Sequence, residues 1–152
     1  LPDPSHPDLN KLYSARFYAK LLGLLAGDGA MVVQSTSPYH AQNTFISIGK
    51  TVQHAGFLHV EQYHANVPSF GEWGWTIATK NGKSARQRLQ ALKTVPLEDG
   101  WMTRGVLLAA FEFGSDFYKE RETIQINRLG SMVAYQYHHA DWQQEVGLMS
   151  LE

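Results

Sequence analysis

Cysteine is absent from all 152 residues. That absence removes disulfides, thiolate metal sites and cysteine nucleophiles together, and it fits a reducing, cytoplasmic setting. No stretch reaches the about 20 consecutive apolar residues that a membrane-spanning helix needs. The opening LPDPSHPDLN has neither the basic start nor the apolar run of a signal peptide. Neither charge sign dominates, with 13 Lys+Arg against 14 Asp+Glu and a net charge of -1. With no dense Lys/Arg run to form a basic footprint, nucleic acid is disfavoured as a partner. Internal repeats and low-complexity tracts are missing too.

What remains is an ordinary globular composition, 43% hydrophobic and 18% charged, enough to bury one core. Leu9, Tyr13, Phe17, Leu21 and Leu24 recur every three or four residues, which predicts one helix stopped by Gly27-Asp28-Gly29. The short apolar run Ala30–Ser35 that follows reads as a buried strand of a parallel sheet. Ser37-Pro38 supplies a cap and a first-turn proline for a second helix carrying Ala41, Phe45, Ile48, Val52 and Ala55, closed by Gly56. Strands are expected over Phe57–His64 and Trp73–Thr79, joined by the turn PSFGE and paired antiparallel. Beyond them NGKSARQRLQ reads as a loop into a short helix, TRGVLLAAFEF as helix and ETIQINRLG as strand or extended chain. SMVAYQYHHADWQQ fits helix and strand alike. Leu151-Glu152 reads as a cloning scar with no part in the fold.

Several tempting motifs fail on context. GLLAGDG has the glycines of a phosphate loop, but they follow a helix and precede a strand, the reverse of what a phosphate cradle requires. Among seven histidines, His59, His64, His138 and His139 lack the helical His-x-x-x-His spacing and partner carboxylates of a metal centre, so no metal is expected. Ser35, Ser37 and Ser69 have no G-x-S-x-G elbow. Phe70, Trp73 and Trp75 cluster around glycines, as core packing or as an aromatic wall for a ligand's methylenes.

One set of residues carries a family likeness. Asp3-Pro4, Leu12-Tyr13-Ser14, Phe17-Tyr18, Val33-Gln34-Ser35 and Val67-Pro68-Ser69-Phe70-Gly71-Glu72-Trp73-Gly74-Trp75, in that order, resemble the C-terminal part of the spermidine synthases, the polyamine aminopropyltransferases. The likeness is to the bacterial branch whose full-length members can carry membrane-spanning helices ahead of the enzyme domain. It covers residues 1–80 and continues more weakly through Phe111-Glu112-Phe113, Ile126-Asn127-Arg128-Leu129 and Trp142. The resemblance implies an α/β fold, the C-terminal half of a Rossmann-like S-adenosylmethionine-dependent methyltransferase-type sheet with flanking helices. Residues 81–152 would be an extension packed on the same domain. The half that holds decarboxylated S-adenosylmethionine, the co-substrate, is expected ahead of this chain, and any membrane anchor with it.

The resemblance also implies roles. LPDP matches the family's gate loop, and the main catalytic base is expected just before Leu1, so no residue of this chain is assigned to it. Asp3 matches the loop's second aspartate, which helps hold the acceptor amine. An alkyl amine with a pKa of about 10 is neutral in only about one molecule in a few thousand at pH 7. Carboxylates are needed to take its proton and to anchor the far ammonium of a diamine such as putrescine. Gln34 would stand at the carboxyl end of its strand, where α/β sites lie, with Phe70 and Trp73 lining an apolar slot. Many family members have tyrosine near the Phe70 position. Asp3 as a first-turn cap and Gln34 as a partner for buried backbone are the alternative structural readings. The resemblance leaves two functions open: the acceptor side of an aminopropyltransferase, inactive alone, or a non-catalytic partner-binding module. An uncovered edge at Ala30–Ser35 predicts a homo-oligomer.

Overall fold

The computed structural model describes residues 1–96 and 100–149; Leu151 and Glu152 lie outside the described residues. Three strands, β1 (Ala30–Gln34), β2 (His59–Val67) and β3 (Gly71–Thr79), form one antiparallel sheet in the order β1-β3-β2. Among the described residues five α-helices accompany it: α1 (Ala15–Leu24), α2 (Gln42–His54), α3 (Ala85–Ala91), α4 (Arg104–Ala109) and α5 (Val133–Met149). The hairpin is antiparallel as its turn predicts, with Val67 opposite Gly71 and His59 opposite Thr79.

The first predicted helix is two. Residues Pro7–Tyr13 form a 3-10 helix capped by His6, with Pro7 at its start. Ser14 then takes an extended conformation (ψ 151°) and caps α1, accepting from the Phe17 N–H at 3.3 Å. A hydroxyl that satisfies an orphan N–H makes a restart cheap. The break rotates the apolar stripe, so Tyr13 and Tyr18 become fully buried while Leu24 is 82% exposed.

β1 departs from the expected parallel, buried strand. Its partner is β3, antiparallel, from Ala30 opposite Thr79 to Gln34 opposite Trp75. β3 runs against it because the hairpin has already reversed the chain. Only Val33 is buried, and Val32 is half exposed. The other edge of β1 meets no described strand.

Ser37-Pro38 does not start α2. Ser37 instead accepts from His40 and Ala41 in a turn, and the helix begins at Gln42 behind Ala41, whose side chain makes no cap. Buried Asp141 of α5 does the capping, accepting from the Thr44 N–H at 3.0 Å, from its hydroxyl at 2.9 Å and from Asn43 Nδ2 at 2.8 Å. Gly56 ends the region at φ +105°, a left-handed conformation that suits glycine.

α2 is covered on most sides. Ile48 and Val52 join Tyr13, Tyr18, Val33, Phe57, Ala78 and Ala134 in one cluster, while Phe45 and Ile46 meet Phe117 and Ile124 in another. The segment read as strand or extended chain, ETIQINRLG, forms no strand: Arg121–Thr123 is a 3-10 turn. It lies on α2 through Ser47 Oγ donating to the Gln125 carbonyl at 2.7 Å and the Asn127 N–H donating to Thr51 Oγ1 at 2.9 Å. SMVAYQYHHADWQQ resolves as helix, and no helix among the described residues is long and apolar enough to cross a membrane.

Candidate functional site at the end of strand β1

β1 ends on Gln34, and the chain then turns sharply at Thr36, a buried residue with φ +62°. Threonine in the left-handed region stores about 1–3 kcal/mol of strain. What the turn obtains is a fixed backbone: the Thr36 carbonyl accepts from the Gly74 N–H at 2.8 Å, and its own N–H donates to Gln34 Oε1 at 3.1 Å. Gly74 is required for this approach, because a Cβ there would stand 2.4 Å from the Phe45 ring and 3.0 Å from the Thr36 carbonyl.

The Gln34 amide is fully used. Oε1 accepts from the Thr36 N–H and from Trp73 Nε1 at 3.0 Å, while Nε2 donates to Asp3 Oδ1 at 2.7 Å and to Tyr13 Oη at 2.9 Å. Both groups facing Oε1 can only donate, so the amide has a single orientation and Nε2 must face the carboxylate. Tyr13 donates in turn to the Pro2 carbonyl at 2.5 Å, tying the opening segment to the 3-10 helix. Burial first, and the neighbouring Asp3 charge second, push the Tyr13 phenol well above its usual range, against a smaller opposing effect of the Gln34 bond. It is therefore a fixed hydrogen-bonding group and not a proton carrier at neutral pH.

Asp3, Gln34, Phe70 and Trp73 all line one cleft of about 390 Å³, with Val67 and Trp75. The four residues singled out in the sequence thus meet in space. Asp3 does not cap the first turn, which His6 does; Gln34 serves buried backbone and Asp3 together. The hairpin turn aims the aromatic wall: Phe70 N–H donates to the Val67 carbonyl at 3.0 Å, with Ser69 at φ +75° and Gly71 at φ +76°. Phe70 is 68% exposed at the tip and packs edge-on against Trp73, centroids 5.9 Å apart, and Trp75 stacks on Tyr63 at 5.4 Å. Asp3 Oδ2 faces His138 Nε2 of α5 at 3.6 Å. Sequence reasoning missed Tyr13 and His138 as members of this group. Tyr13 sat on a predicted core stripe, and His138 lies 135 positions from Asp3 in a segment of ambiguous periodicity. No group of three or more potential metal ligands is found among the described residues.

The model of the spermine/spermidine synthase domain matches residues 1–90. The chain belongs to that family. A polyamine aminopropyltransferase of Shewanella oneidensis is 57% identical over 148 residues, 97% of this chain and 26% of the relative. Polyamine aminopropyltransferase 2 of Bacillus cereus is 35% identical over 136 residues, 89% of this chain and 36% of the relative. Among solved structures, spermidine synthase from Thermotoga maritima superimposes with a TM-score of 0.58 at 18% identity, covering 74% of this chain and 39% of that one. A spermidine synthase in complex with the transition state analogue AdoDATO gives 0.59 at 18% identity, covering 74% and 40%. These likenesses establish the fold, the Rossmann-like methyltransferase-type α/β architecture of spermidine synthases. The chain spans about a quarter to two-fifths of the length of these family members.

Proposed function

We propose that these residues form the acceptor side of an aminopropyltransferase that moves the aminopropyl group of decarboxylated S-adenosylmethionine to a diamine such as putrescine. In that reaction a neutral amine nitrogen forms a bond to the propyl carbon. The carbon–sulfur bond breaks with its electron pair going to the sulfonium, methylthioadenosine leaves, and the nitrogen's proton passes to a carboxylate base. The observation that carries the reading is the hydrogen-bonded Asp3–Gln34 pair in the lining of an aromatic cleft.

Asp3 supplies the negative charge that draws and orients an alkylammonium or amine. Gln34 holds that carboxylate by one oxygen and leaves Oδ2 for the ligand. Phe70 and Trp73 offer apolar faces to the methylenes, and Trp73 is itself fixed by its bond to Gln34. The main base is expected N-terminal to Leu1, so Asp3 acts as an anchor. On this reading residues 1–80 are the C-terminal half of the catalytic domain, residues 81–152 an extension on it, and the polypeptide a homo-oligomer.

Methylthioadenosine release from decarboxylated S-adenosylmethionine and putrescine tests the reading. The longest natural polypeptide that contains these residues should release it, and the 152-residue chain alone should match a boiled control. An inactive long form would remove the transferase reading, and an active short form would remove the division of the site between the two parts.

A further inference from the structure

The Asp3 carboxylate has two neighbours of different kinds. Gln34 Nε2 donates to Oδ1 at 2.7 Å, and His138 Nε2 of α5 stands 3.6 Å from Oδ2. An amide cannot change its charge, whereas a histidine ordinarily does so between about pH 5 and 8. Asp3 lines the aromatic cleft and His138 does not, so the carboxylate stands between the ring and an amine bound there. The ring lines a different cavity, of about 370 Å³, with Ser5, His139, Trp142 and Val146.

His138 is 9% exposed, and its Nε2 is buried with no hydrogen-bond partner. Such a nitrogen is costly to leave unmatched. Among the described residues Asp3 is the one carboxylate paired with it. On the same helix, Asp141 spends both oxygens on Asn43 and Thr44 of α2, and His139 lies against Tyr135. His40 stacks on Trp142 and pairs with Glu145. The 3-10 helix brings Tyr13, whose phenol burial keeps protonated, and the exposed His6–Asp8 pair precedes it. Asp3 and His138 therefore form a charge pair of their own.

We propose that His138 is a positioning residue that acts through Asp3 and links acceptor binding to release of a proton, an inference that rests on the aminopropyltransferase reading above. As an imidazolium, His138 balances the Asp3 carboxylate when no amine is bound. An alkylammonium brings a second cation to the same oxygen, and the two repel. The imidazolium N–H bond then breaks, its electron pair stays on the ring nitrogen, and the proton passes to water through the cavity that the ring lines, where Ser5, His139 and Val146 are exposed. The carboxylate is left to the amine. At low pH the ring keeps its proton and competes; as pH rises it lets go, so acceptor affinity rises with pH.

Calorimetry of putrescine binding tests this in the longest natural polypeptide containing these residues, with methylthioadenosine present, in buffers of unequal ionisation enthalpy from about pH 5.5 to 8. An alkyl diamine with pKa values of about 10 stays charged throughout, so any slope belongs to the protein. Kd should fall about fivefold or more across the range, with about 0.3 proton or more released per amine near its middle. His138→Gln, neutral at every pH, should bind tightly with no slope; His138→Lys, charged at every pH, should bind weakly with no slope. A wild type that releases no proton, or a slope that persists in His138→Gln, overturns the proposal. If the variants fail to fold, NMR of the wild-type His138 ring decides: saturating putrescine should lower its titration midpoint by about 0.5 pH unit or more, and an unmoved midpoint overturns the proposal. Linked binding without aminopropyl transfer strikes the transferase reading alone, transfer without linkage strikes this inference alone, and no binding of putrescine strikes both.

Discussion

Gln34 Nε2 donates to Asp3 Oδ1 across 2.7 Å, joining the end of β1 to a loop 31 residues earlier in the chain. Because the other face of the amide is occupied by two obligate donors, the glutamine cannot rotate away without leaving the Trp73 and Thr36 N–H groups unpaired. The carboxylate is thereby held as an acceptor. Asp3→Asn in a long natural polypeptide should weaken use of the acceptor amine by about 1.5–3 kcal/mol, the range for a hydrogen bond to a charged group, or about 10- to 150-fold in kcat/KM. Steady-state kinetics with putrescine checks this. Unchanged kcat and KM would take Asp3 out of the site.

The aromatic wall gives a second expectation. Phe70 stands at the hairpin tip with its ring edge toward Trp73, so Phe70→Tyr adds a hydroxyl at one fixed depth along the slot. A polar partner at one depth favours amines with nitrogen there over those without. The order of preference among putrescine, cadaverine and longer amines should change. An identical order would mean that Phe70 only covers Trp73.

The family resemblance singled out Asp3, Gln34, Phe70 and Trp73, which line one cleft, and each lies in a short stretch that carries the resemblance: the proline-flanked opening, a strand end, a glycine-flanked aromatic turn. What the sequence hid was chemistry delivered from far away. α5 gives no apolar stripe because its inward face carries His138 and Asp141 beside Val133 and Ala134; with polar side chains turned inward, helix and strand patterns look alike. The same inversion concealed the capping of α2, where Asp141 does from 97 residues away what Ser37 was expected to do locally. The helix break at Ser14 was invisible to periodicity, since the residues on either side keep helical spacing. The hairpin and α2 carried turn and stripe signals of their own, so their type and order were readable while their bounds moved: α2 starts at Gln42 and not at Ser37-Pro38, and the strands run His59–Val67 and Gly71–Thr79.

Close packing at Gly74 makes a structural prediction. An added Cβ would meet the Phe45 ring edge and the Thr36 carbonyl together, and neither can retreat, since Phe45 is fully buried and Thr36 is fixed by its bond to Gly74. Gly74→Ala should cost about 1–3 kcal/mol, as overpacking of a filled core does. Urea denaturation reads it directly. A loss under about 0.5 kcal/mol would show that the turn after β1 yields.

Tyr13 predicts behaviour at alkaline pH. Its folded-state pKa is raised above the ordinary value of 10.0, mainly by burial and then by Asp3. Above pH 10 the unfolded chain therefore releases this proton while the folded chain keeps it, and stability falls as pH rises toward the folded value. Below pH 10 both states hold the proton and the effect vanishes. Each proton lost only on unfolding steepens the fall by about 1.4 kcal/mol per pH unit. Tyr13→Phe should flatten the decline between pH 10 and 11.5 relative to the wild type in urea melts at stepped pH. Parallel declines would assign the alkaline sensitivity to Tyr18, Tyr63 and Tyr118, whose phenols burial also raises.

The free side of β1 sets the last expectation. β3 covers one edge of the strand, and no described strand covers the other, although half-exposed Val32 lies along it. Beside that edge runs an apolar groove of about 210 Å³ lined by Phe17, Leu21, Met31 and Val32, among others. The segment ETIQINRLG does not fold back onto it, being held against α2 by Ser47 and Thr51. An edge of unpaired N–H and C=O groups next to apolar surface is a template for another copy. A two-fold axis through two such edges pairs β1 with β1 antiparallel and brings the two grooves into one interface. The 152-residue polypeptide should therefore sediment as a dimer at micromolar concentration, burying about 1,600 Å², with the Val32 and Val33 amides slow to exchange. Val32→Lys places like charges on both sides of the axis and should shift the population to monomer. A wild-type species of 17.1 kDa with those amides in rapid exchange would leave the edge bare and the self-association idea without support.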